Sequence, residues 1–513
     1  MVRLLRSPRL LAALAGLLSA AVAVGIGEVI AGLVRPAASP VIVVGNRMIL
    51  LTPESVRRWA ISVFGTNDKH ALLTGIYVAI GLASLGIGAL AYRRLAAGLV
   101  ALGLFGGFGA YCALTTHAHR GSDAVPSIAA GVAGIGCLAV LIRSLRPRPA
   151  EAGVPSGVRR RSFLQAGAFA AALAAFSGLF GRNLQRTRYD ASAARAAIPV
   201  PSVSTSPAAP AATYDLGKSG IPFVIPNDSF YRIDTALSIP QLNPKTWNLR
   251  IHGLVEREIT FTYDQLRSRP LIERWITLAC VSNDVGGDLI GNARFLGVRL
   301  ADLLEEAGVH PGADQLLATS ADGMTIGSPT AVVMDGRDAM LAIGMNGELL
   351  PVAHGFPVRM VVPGLYGYVS ACKWITDLEV TTFARQSAYW VAEGWAQRGP
   401  VLLESRIDFP RSSASLAAGS RAAIAGVAWD QHVGVSKVEV QVDNGQWQQA
   451  DLAPVPSTDT WRQWVLPWTV PPVGVHTLRV RATDAKGVVQ TDHSTQPFPS
   501  GATGWHTISV RSR

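Results

Sequence analysis

Four cysteines stand at 112, 137, 280 and 372, and they are the natural starting point for chemistry in this chain. None belongs to a CxxC or CxxCH and their spacing is irregular, which excludes a disulfide scaffold, a zinc ribbon and c-type haem attachment. Cys112 and Cys137 lie in apolar runs and read as small buried residues. Cys280 ends the apolar stretch Ile276-Thr277-Leu278-Ala279 and is followed by Val281-Ser282-Asn283-Asp284 and Gly286-Gly287. A single strand-end thiolate is a soft ligand suited to a high-valent metal already held by other sulfurs, and it leaves coordination positions open for oxo groups and substrate. Taken alone, Cys280 reads better as a buried structural thiol. Further along, His354 and Arg359 can donate charge-assisted hydrogen bonds to a phosphate, and Lys373 can add a point charge. Surface ion pairing is the plainer use of the same residues. No GxxxxGK(S/T), GxGxxG after a strand, HExxH or GxSxG occurs, so phosphate-loop, dinucleotide, zincin and serine-hydrolase chemistries lack their signatures.

The elements that must position these groups fall into two contrasting halves. At 513 residues the chain has room for about three domains. Its hydrophobic fraction is 49% and its charged fraction 16%, against about 25% in soluble proteins, so a wholly soluble or disordered chain is excluded. Runs at 10–34, 71–91, 95–114, 125–142 and 163–180 are long enough to cross about 30 Å of hydrocarbon. The net charge of +11 comes from scattered basic residues and flanks of apolar runs, with no block that would serve as a nucleic-acid arm. Arg3, Arg6, Arg9, Arg93, Arg94 and the 143–161 stretch share one side under five spans, which makes that side cytoplasmic and places the C-terminal half outside. The loop 35–69 carries Arg35, Arg47, Arg57, Arg58 and Lys69 against this rule, and a surface-lying helix over 53–64 would soften the conflict. His70, His117 and His119 fall near the outer ends of spans two and three, where facing histidines could ligate haem, although interfacial histidine is the simpler reading.

Residues 191–212 are Ala, Pro and Ser with almost no large apolar side chain, and read as an extended tether. Alternation in Trp247-Asn248-Leu249-Arg250-Ile251, an amphipathic helix over 300–307 and many Gly/Pro turns predict an α+β domain across 226–385. Beyond 415, Val438, Val440 and Val442 alternate before Asp443-Asn444-Gly445, and Leu478, Val480 and Ala482 alternate before the 484–487 turn, the pattern of a hairpin-built sandwich. Trp429, Trp447, Trp461, Trp464 and Trp468 crowd this region and are read as its core in preference to a sugar groove.

From about 225 to 513 the chain resembles the sulfite oxidase family of molybdenum enzymes. The resemblance rests on Phe230-Tyr231-Arg232-Ile233-Asp234, on Ile276 through Asn283 around Cys280, on Asn346-Gly347-Glu348-Leu349-Leu350-Pro351, on His354-Gly355-Phe356-Pro357-Val358-Arg359, on Val361-Val362-Pro363-Gly364 and on Ser370 to Trp374. Gly426-Val427-Ala428-Trp429 with Val438-Glu439-Val440 is similar to the family's immunoglobulin-like dimerisation domain. The resemblance implies Cys280 as the molybdenum ligand, Arg232 as a catalytic contact to an anionic substrate, and a molybdopterin held by Asp228, Tyr231, Arg232, Cys280, Asn283, His354, Arg359, Ser370, Ala371 and Lys373. The apolar runs set a helical membrane domain at 1–181 and the Ala/Pro/Ser stretch a linker at 182–224, and the resemblance implies an α+β molybdopterin domain at 225–395 and an immunoglobulin-like sandwich at 396–513, with a homodimer following from the last.

Arg160-Arg161-Ser162-Phe163-Leu164 looks like a twin-arginine export signal, which suits a cofactor inserted before folded export, and an uncleaved anchor is expected. Two departures bear on substrate. Sulfite oxidases follow the ligand cysteine with Gly-Asn-Arg, whereas Asp284 supplies a carboxylate here, and the family's tyrosine before Met-Asn-Gly is replaced in Ile343-Gly344-Met345-Asn346. Arg232 and Arg294 are the remaining candidate anion contacts. The expected activity is oxo transfer to or from a small substrate with a separate electron carrier, a cytochrome or the quinone pool. A sulfoxide or N-oxide reductase and a non-catalytic tethered envelope protein are the alternatives.

Overall fold

The structure is a computed structural model describing residues 7–53, 56, 59–60, 63–64, 68–115, 120–145, 157–188, 190–203, 207 and 222–513. Contacts divide the chain into two units, Met1–Asp190 with Thr235–Gln241, and Ala191–Asp234 with Leu242–Arg513.

The first unit is helical. Its helices are α1 (Pro8–Val34), α2 (Pro40–Leu51), α3 (Asp68–Arg93), α4 (Leu95–Leu114), α5 (Val125–Leu145) and α6 (Gly157–Arg188). Five stretches, Pro8–Val34, Lys69–Arg93, Leu95–Leu114, Gly121–Leu145 and Arg161–Gln185, are long and apolar enough to cross a membrane, and each contains one of the five runs expected from hydropathy. Helix α1 is central, packing on α3, α5 and α6. Its approach to α3 depends on glycine: a Cβ on Gly16 would lie 1.9 Å from the Ser84 carbonyl oxygen, and one on Gly88 would lie 2.1 Å from that of Ala12. Helix α2 corrects the expectation of a loop over 35–69. Val41 and Val43 are buried, and the Arg47 guanidinium lies 5.9 Å from the Tyr111 ring centroid. Arg35 pairs with buried Asp123, its Nε 2.7 Å from Oδ1, so part of that loop's positive charge is neutralised locally. Half of the 53–64 segment lies outside the described residues.

The second unit is built from sheets. Short helix α7 (Ala191–Ala196) precedes them. Here the first six residues of the expected extended tether are corrected to helix: alanine is the strongest helix former, Ala191 is buried, and Arg195 Nε donates to the Leu349 and Leu350 carbonyls at 3.1 and 2.9 Å. The strands are β1 (Asn248–Gly253), β2 (Ile259–Thr262), β3 (Leu271–Ala279), β4 (Ile290–Arg299), β5 (Gln315–Ser320), β6 (Thr325–Pro329), β7 (Met340–Met345), β8 (Glu348–Leu349), β9 (Arg359–Val361) and β10 (Ile375–Thr381). They form one sheet in the order β2-β1-β10-β5-β6 and a second in the order β3-β4-β7-β8 with β9 paired to β7. Helices α8 (Tyr263–Arg267), α9 (Leu300–Ala307), α10 (Thr330–Val333) and α11 (Gly367–Ser370) connect them. Leu249 and Ile251 on β1 are buried, as are Leu300, Leu303, Leu304 and Ala307 on α9, the faces their alternation and helical spacing predict.

The sheet-rich C-terminal region has strands β11 (Glu404–Phe409), β12 (Ser415–Leu416), β13 (Arg421–Trp429), β14 (Val435–Val442), β15 (Gln448–Gln449), β16 (Asp451–Leu452), β17 (Arg462–Thr469), β18 (Gly474–Asp484) and β19 (Thr507–Ser512). Sheets β11-β13-β17-β16 and β12-β19-β18-β14-β15 share one buried cluster, to which Ile424, Trp464 and Trp468 come from the first and Val438, Val440, Leu478, Val480 and Ala482 from the second. Trp429 and Trp461 are buried in the larger core instead, and Trp447 lies at the surface against Trp505 with Arg481 over its ring.

A buried polar junction ties β3 to this region. The Thr277 hydroxyl accepts from the Trp461 amide at 2.7 Å and donates to Asn292 Oδ1 at 3.0 Å, and Asn292 Nδ2 and Trp461 Nε1 both donate to the Phe223 carbonyl. Thr277→Val keeps the shape and orphans the Trp461 amide, so it is expected to cost about 1–3 kcal/mol. Thermal unfolding of the full chain checks this, and an unchanged midpoint would mean the hydroxyl is dispensable.

Candidate active site

Cys280 is the first residue beyond β3, where the ladder with β4 ends at Ala279–Ile290 and the chain turns. The turn is fixed by Cys280 N donating to the Leu289 carbonyl at 2.9 Å and Asn283 N donating to the Cys280 carbonyl at 3.1 Å. Cys280 is a free thiol, partly exposed, and burial pushes its pKa up against hydrogen bonds from Ser282 and the charge of Lys373. A thiol raised in this way is inert until a metal displaces its proton. Asn283 is buried. Its Oδ1 accepts from the Leu289 amide at 2.8 Å, and its Nδ2 has no hydrogen-bond partner.

Three further segments converge here. Strand β9 begins with Arg359, buried at 5% exposure, its guanidinium 5.8 Å from the Phe295 ring centroid. Nη1 donates to the His354 carbonyl at 3.2 Å, Nε has no partner, and among the described residues no carboxylate pairs with it. Burial pulls its pKa down to about 10, with Tyr231 and Cys372 opposing. The His354 ring meets Phe230 edge-on and its Nε2 lies 3.1 Å from the Asn227 carbonyl oxygen. Burial, then the charges of Arg359 and Lys373, hold His354 down to about 4, so it is neutral at pH 7 and its Nε2 serves as the donor in that hydrogen bond. Tyr231 stacks on Phe230, and its phenol is pushed up by burial and by Cys280, with Arg359 opposing. Cys280, Tyr231, His354, Arg359 and Lys373 therefore form one electrostatic neighbourhood.

The other expected site residues are placed differently. Arg232 is exposed and pairs with Asp234 at 3.4 Å, and Lys373 Nζ donates to the same carboxylate at 3.0 Å and to the Ile233 carbonyl at 2.9 Å. Ser370 is buried and its hydroxyl is spent on the Leu365 and Tyr366 carbonyls, each at 3.0 Å, holding the turn that leads through Ala371 to Cys372. Cys372 is buried and burial pushes its thiol up, in keeping with a packing residue. Asp228 is exposed, takes the Ser229 hydroxyl at 3.0 Å, and joins none of these contacts. Arg294, expected as an anion contact, lies 3.1 Å from Glu273 and over the Trp275 ring, so its charge is already balanced. His70 is exposed, and His117 and His119 lie outside the described residues.

Asn346, which opens one of the motifs, and Asn227, which the sequence did not single out, also contribute. Asn346, at φ 53°, donates to the Ile225 carbonyl and to Asn227 Oδ1, both at 2.9 Å, which places Asn227 beneath His354. The Asn346-Gly347 pair marks a turn in sequence, but the partner it recruits is over a hundred residues away.

The donor set suits a molybdopterin. A soft thiol at a strand end suits the metal. A buried guanidinium with a free Nε and no carboxylate partner among the described residues, and a buried amide with a free Nδ2 in the Cys280 turn, each suit an anionic ligand rich in acceptors.

Comparison with known proteins agrees. The family profile described as oxidoreductase molybdopterin binding domain matches residues 236–390. The chain is 31% identical over 153 residues to the uncharacterized oxidoreductase YuiH of Bacillus subtilis, covering 30% of this chain and 74% of that protein. It is 30% identical over 298 residues to the mitochondrial sulfite oxidase of Mus musculus, covering 48% of this chain and 54% of that protein. The solved sulfane dehydrogenase SoxCD of Paracoccus pantotrophus aligns at 25% identity with a TM-score of 0.49, covering 56% of this chain and 81% of that one. The chain spans about half the length of the mouse sulfite oxidase it matches. These matches set aside the non-catalytic envelope protein: the chain belongs to the molybdopterin-binding oxidoreductases, as a molybdenum-dependent enzyme with sulfite oxidase homologues.

Proposed function

We propose that the chain is a membrane-anchored molybdopterin enzyme catalysing oxo transfer on the outer face of the cytoplasmic membrane. The observation that carries the site assignment is the buried Arg359, its Nε without a hydrogen-bond partner and no carboxylate paired with it among the described residues, whose charge acts on the same Tyr231 phenol as that of Cys280. When bound, the cofactor supplies a two-electron couple and an exchangeable oxygen. Cys280 is its metal ligand. Arg359 and Asn283 hold its anionic and acceptor-rich parts, neutral His354 and Tyr231 frame it, Lys373 contributes charge, and Ser370 and Ala371 shape the turn beside it. Arg232, exposed and only loosely paired, is the substrate-facing cation, and Asp228 contributes at the rim. Five apolar helices support the anchor over 1–181, with 182–224 as the linker, 225–395 as the molybdopterin domain and 396–513 as an immunoglobulin-type sandwich mediating a homodimer. The Arg160-Arg161 stretch serves folded export, and electrons pass to a separate cytochrome or quinone carrier. Haem between the membrane histidines is the weaker part of this reading, since exposed His70 has no described partner histidine.

Two directions balance. Sulfite plus water gives sulfate, two protons and two electrons, whereas an S-oxide or N-oxide takes up two electrons and two protons to give the reduced compound and water. Exposed Asp284 in the Cys280 loop favours the second, because a carboxylate repels a dianion and tolerates a neutral dipole. Full chain carrying molybdenum is to be assayed with sulfite and an artificial acceptor, and with dimethyl sulfoxide and an artificial donor. S-oxide turnover is expected to exceed sulfite turnover by at least about tenfold, a difference of 1.4 kcal/mol at the barrier. The reverse order assigns sulfite oxidation, and turnover of neither by loaded enzyme defeats the oxo-transfer reading. Protease added to intact cells is expected to cut the C-terminal half.

A further inference from the structure

The helical unit holds a cavity that the molybdenum site does not use. It measures about 180 Å³ and lies where α1 and α6 end and α2 and α3 begin. Glu28, Ser39, Tyr77, Arg182, Gln185 and Ser238 supply its polar lining, and Val41, Ile42 and Leu73 give it apolar wall. Ser238 belongs to Thr235–Gln241, the stretch immediately after the Phe230–Asp234 motif, which packs with the helices. Lys69 Nζ donates to the Ala236 carbonyl there at 2.8 Å, and a Cβ on Gly45 of α2 would lie 2.5 Å from Leu237 Cδ1. The cavity is therefore rimmed by chain that leads straight out of the catalytic half.

Its polar groups are of two opposed kinds. Glu28 is an acceptor fixed from two sides: Ser39 Oγ donates to its Oε1 at 2.6 Å, and Gln185 Nε2 donates to its Oε2 at 2.8 Å and to its backbone carbonyl at 3.0 Å. Each carboxylate oxygen keeps a lone pair for a further donor. Arg182 can only donate, is exposed, and pairs with no carboxylate among the described residues. The Tyr77 hydroxyl can do either. A phosphate headgroup would satisfy Arg182 and be repelled by Glu28. A quinone suits both, because its carbonyls accept from Arg182 and Tyr77, its hydroxyls after reduction donate to Glu28, and it is neutral in either state. Size agrees: at about 180 Å³ the cavity is below the ~300–1,000 Å³ of sites that enclose a drug-sized ligand, so it takes one ring and leaves a long substituent outside. Tyr77, Val78 and Leu82 are exposed along α3 and give such a tail an apolar path.

We infer that this cavity binds the headgroup of a membrane quinone, with Arg182 and Tyr77 holding the oxidised ring and Glu28 the reduced one. The inference rests on the membrane-anchor and oxo-transfer readings above, and it selects a quinone over a cytochrome as the electron carrier. In the direction favoured there, the quinol gives up two electrons and two protons and the S-oxide takes up both. Quinol plus S-oxide then gives quinone, the reduced compound and water.

The test measures binding rather than turnover. Full chain in detergent, isolated from a cofactor-competent host, is dialysed against protein-free micelles carrying decylubiquinone or a short-tailed menaquinone, each oxidised and reduced, and the bound quinone is extracted and counted. The parent is expected to bind one of these quinones saturably at a single site. Arg182→Met is expected to weaken binding of the oxidised form about 10–100-fold through loss of a charge-assisted hydrogen bond. Glu28→Gln is expected to weaken the reduced form more than the oxidised one. Ser238→Trp fills the rim and is expected to weaken both forms by more than about tenfold. Arg182 and Ser238 are exposed, so their variants serve if Glu28→Gln misfolds. Unchanged affinity in both Arg182→Met and Ser238→Trp overturns the site. Displacement of the quinone by an equal concentration of dioctanoyl phosphatidylglycerol overturns it too, and assigns the cavity to a lipid headgroup. Molybdenum is counted in every sample. Loaded chain without saturable quinone binding loses the quinone site alone, whereas folded chain that binds quinone and holds no molybdenum keeps that site and loses the cofactor assignment at Cys280.

Discussion

Cys280→Ser is expected to fold and to lose its metal: molybdenum falls from about one per chain to less than about a tenth, and oxidoreductase turnover falls by more than about a hundredfold, beyond the 10–100-fold typical of removing a mere outer-shell partner. The backbone contacts that shape the turn, Cys280 N to the Leu289 carbonyl and Asn283 N to the Cys280 carbonyl, do not involve the sulfur, so the substitution leaves them intact. What changes is the donor atom. A hydroxyl is harder and ionises far less readily than a thiol, and a site that already raises the thiol pKa by burial disfavours an alkoxide more strongly still. Cys372→Ser is the control. That sulfur is fully buried with only a long 3.8 Å approach to the Lys373 carbonyl, so its replacement is expected to lower stability and leave metal content near one. Plasma mass spectrometry on both folded variants decides the matter, and full molybdenum in Cys280→Ser would remove Cys280 from the metal's coordination.

The contrast between the two cysteines shows where sequence reasoning succeeds. A thiol at the boundary between an apolar strand and a polar, glycine-bearing turn is legible locally, because strand periodicity and turn composition are both short-range properties. The same holds for Leu249 and Ile251 on β1 and for the apolar face of α9. Helix α2 escaped because an apolar run of twelve residues is too short to span, and Arg47 within it suggested a loop until Tyr111 supplied a ring to cover its charge. Helix α7 escaped because docking of Arg195 onto the Leu349 and Leu350 carbonyls is a tertiary event. Arg294 was misjudged for a similar reason: its charge is balanced by Glu273, which only the pairing of β3 with β4 brings alongside. Asn227 and Glu404 carry no local mark at all. The first gains meaning from a histidine 127 residues away, and the second from its place at the start of β11 opposite Trp429.

Arg359→Met is expected to act in opposite directions on the empty and the loaded protein. An unpaired guanidinium buried at 5% exposure has lost its water and gained only the His354 carbonyl at 3.2 Å and the Phe295 ring, so it destabilises the apo fold. Methionine fills much of the same volume without a charge to desolvate, and the apo variant should be more stable by about 1–3 kcal/mol, in the manner of buried ionic groups replaced by apolar ones. The loaded protein should show the reverse. A hydrogen bond to a charged partner contributes about 1.5–3 kcal/mol, so losing it should weaken cofactor retention about 10–100-fold. Thermal midpoints of apo protein from a cofactor-deficient host, set beside molybdenum retained after dialysis of loaded protein, separate the two effects. The sign of the first is the sharper test. Were apo Arg359→Met less stable than the parent, the guanidinium would be holding the β9 turn through His354 and Phe295, and its orphaned Nε would be a packing accident. A more stable apo variant that sheds its cofactor means that a buried charge is being held in place, at a cost to the fold, for an anion that arrives later.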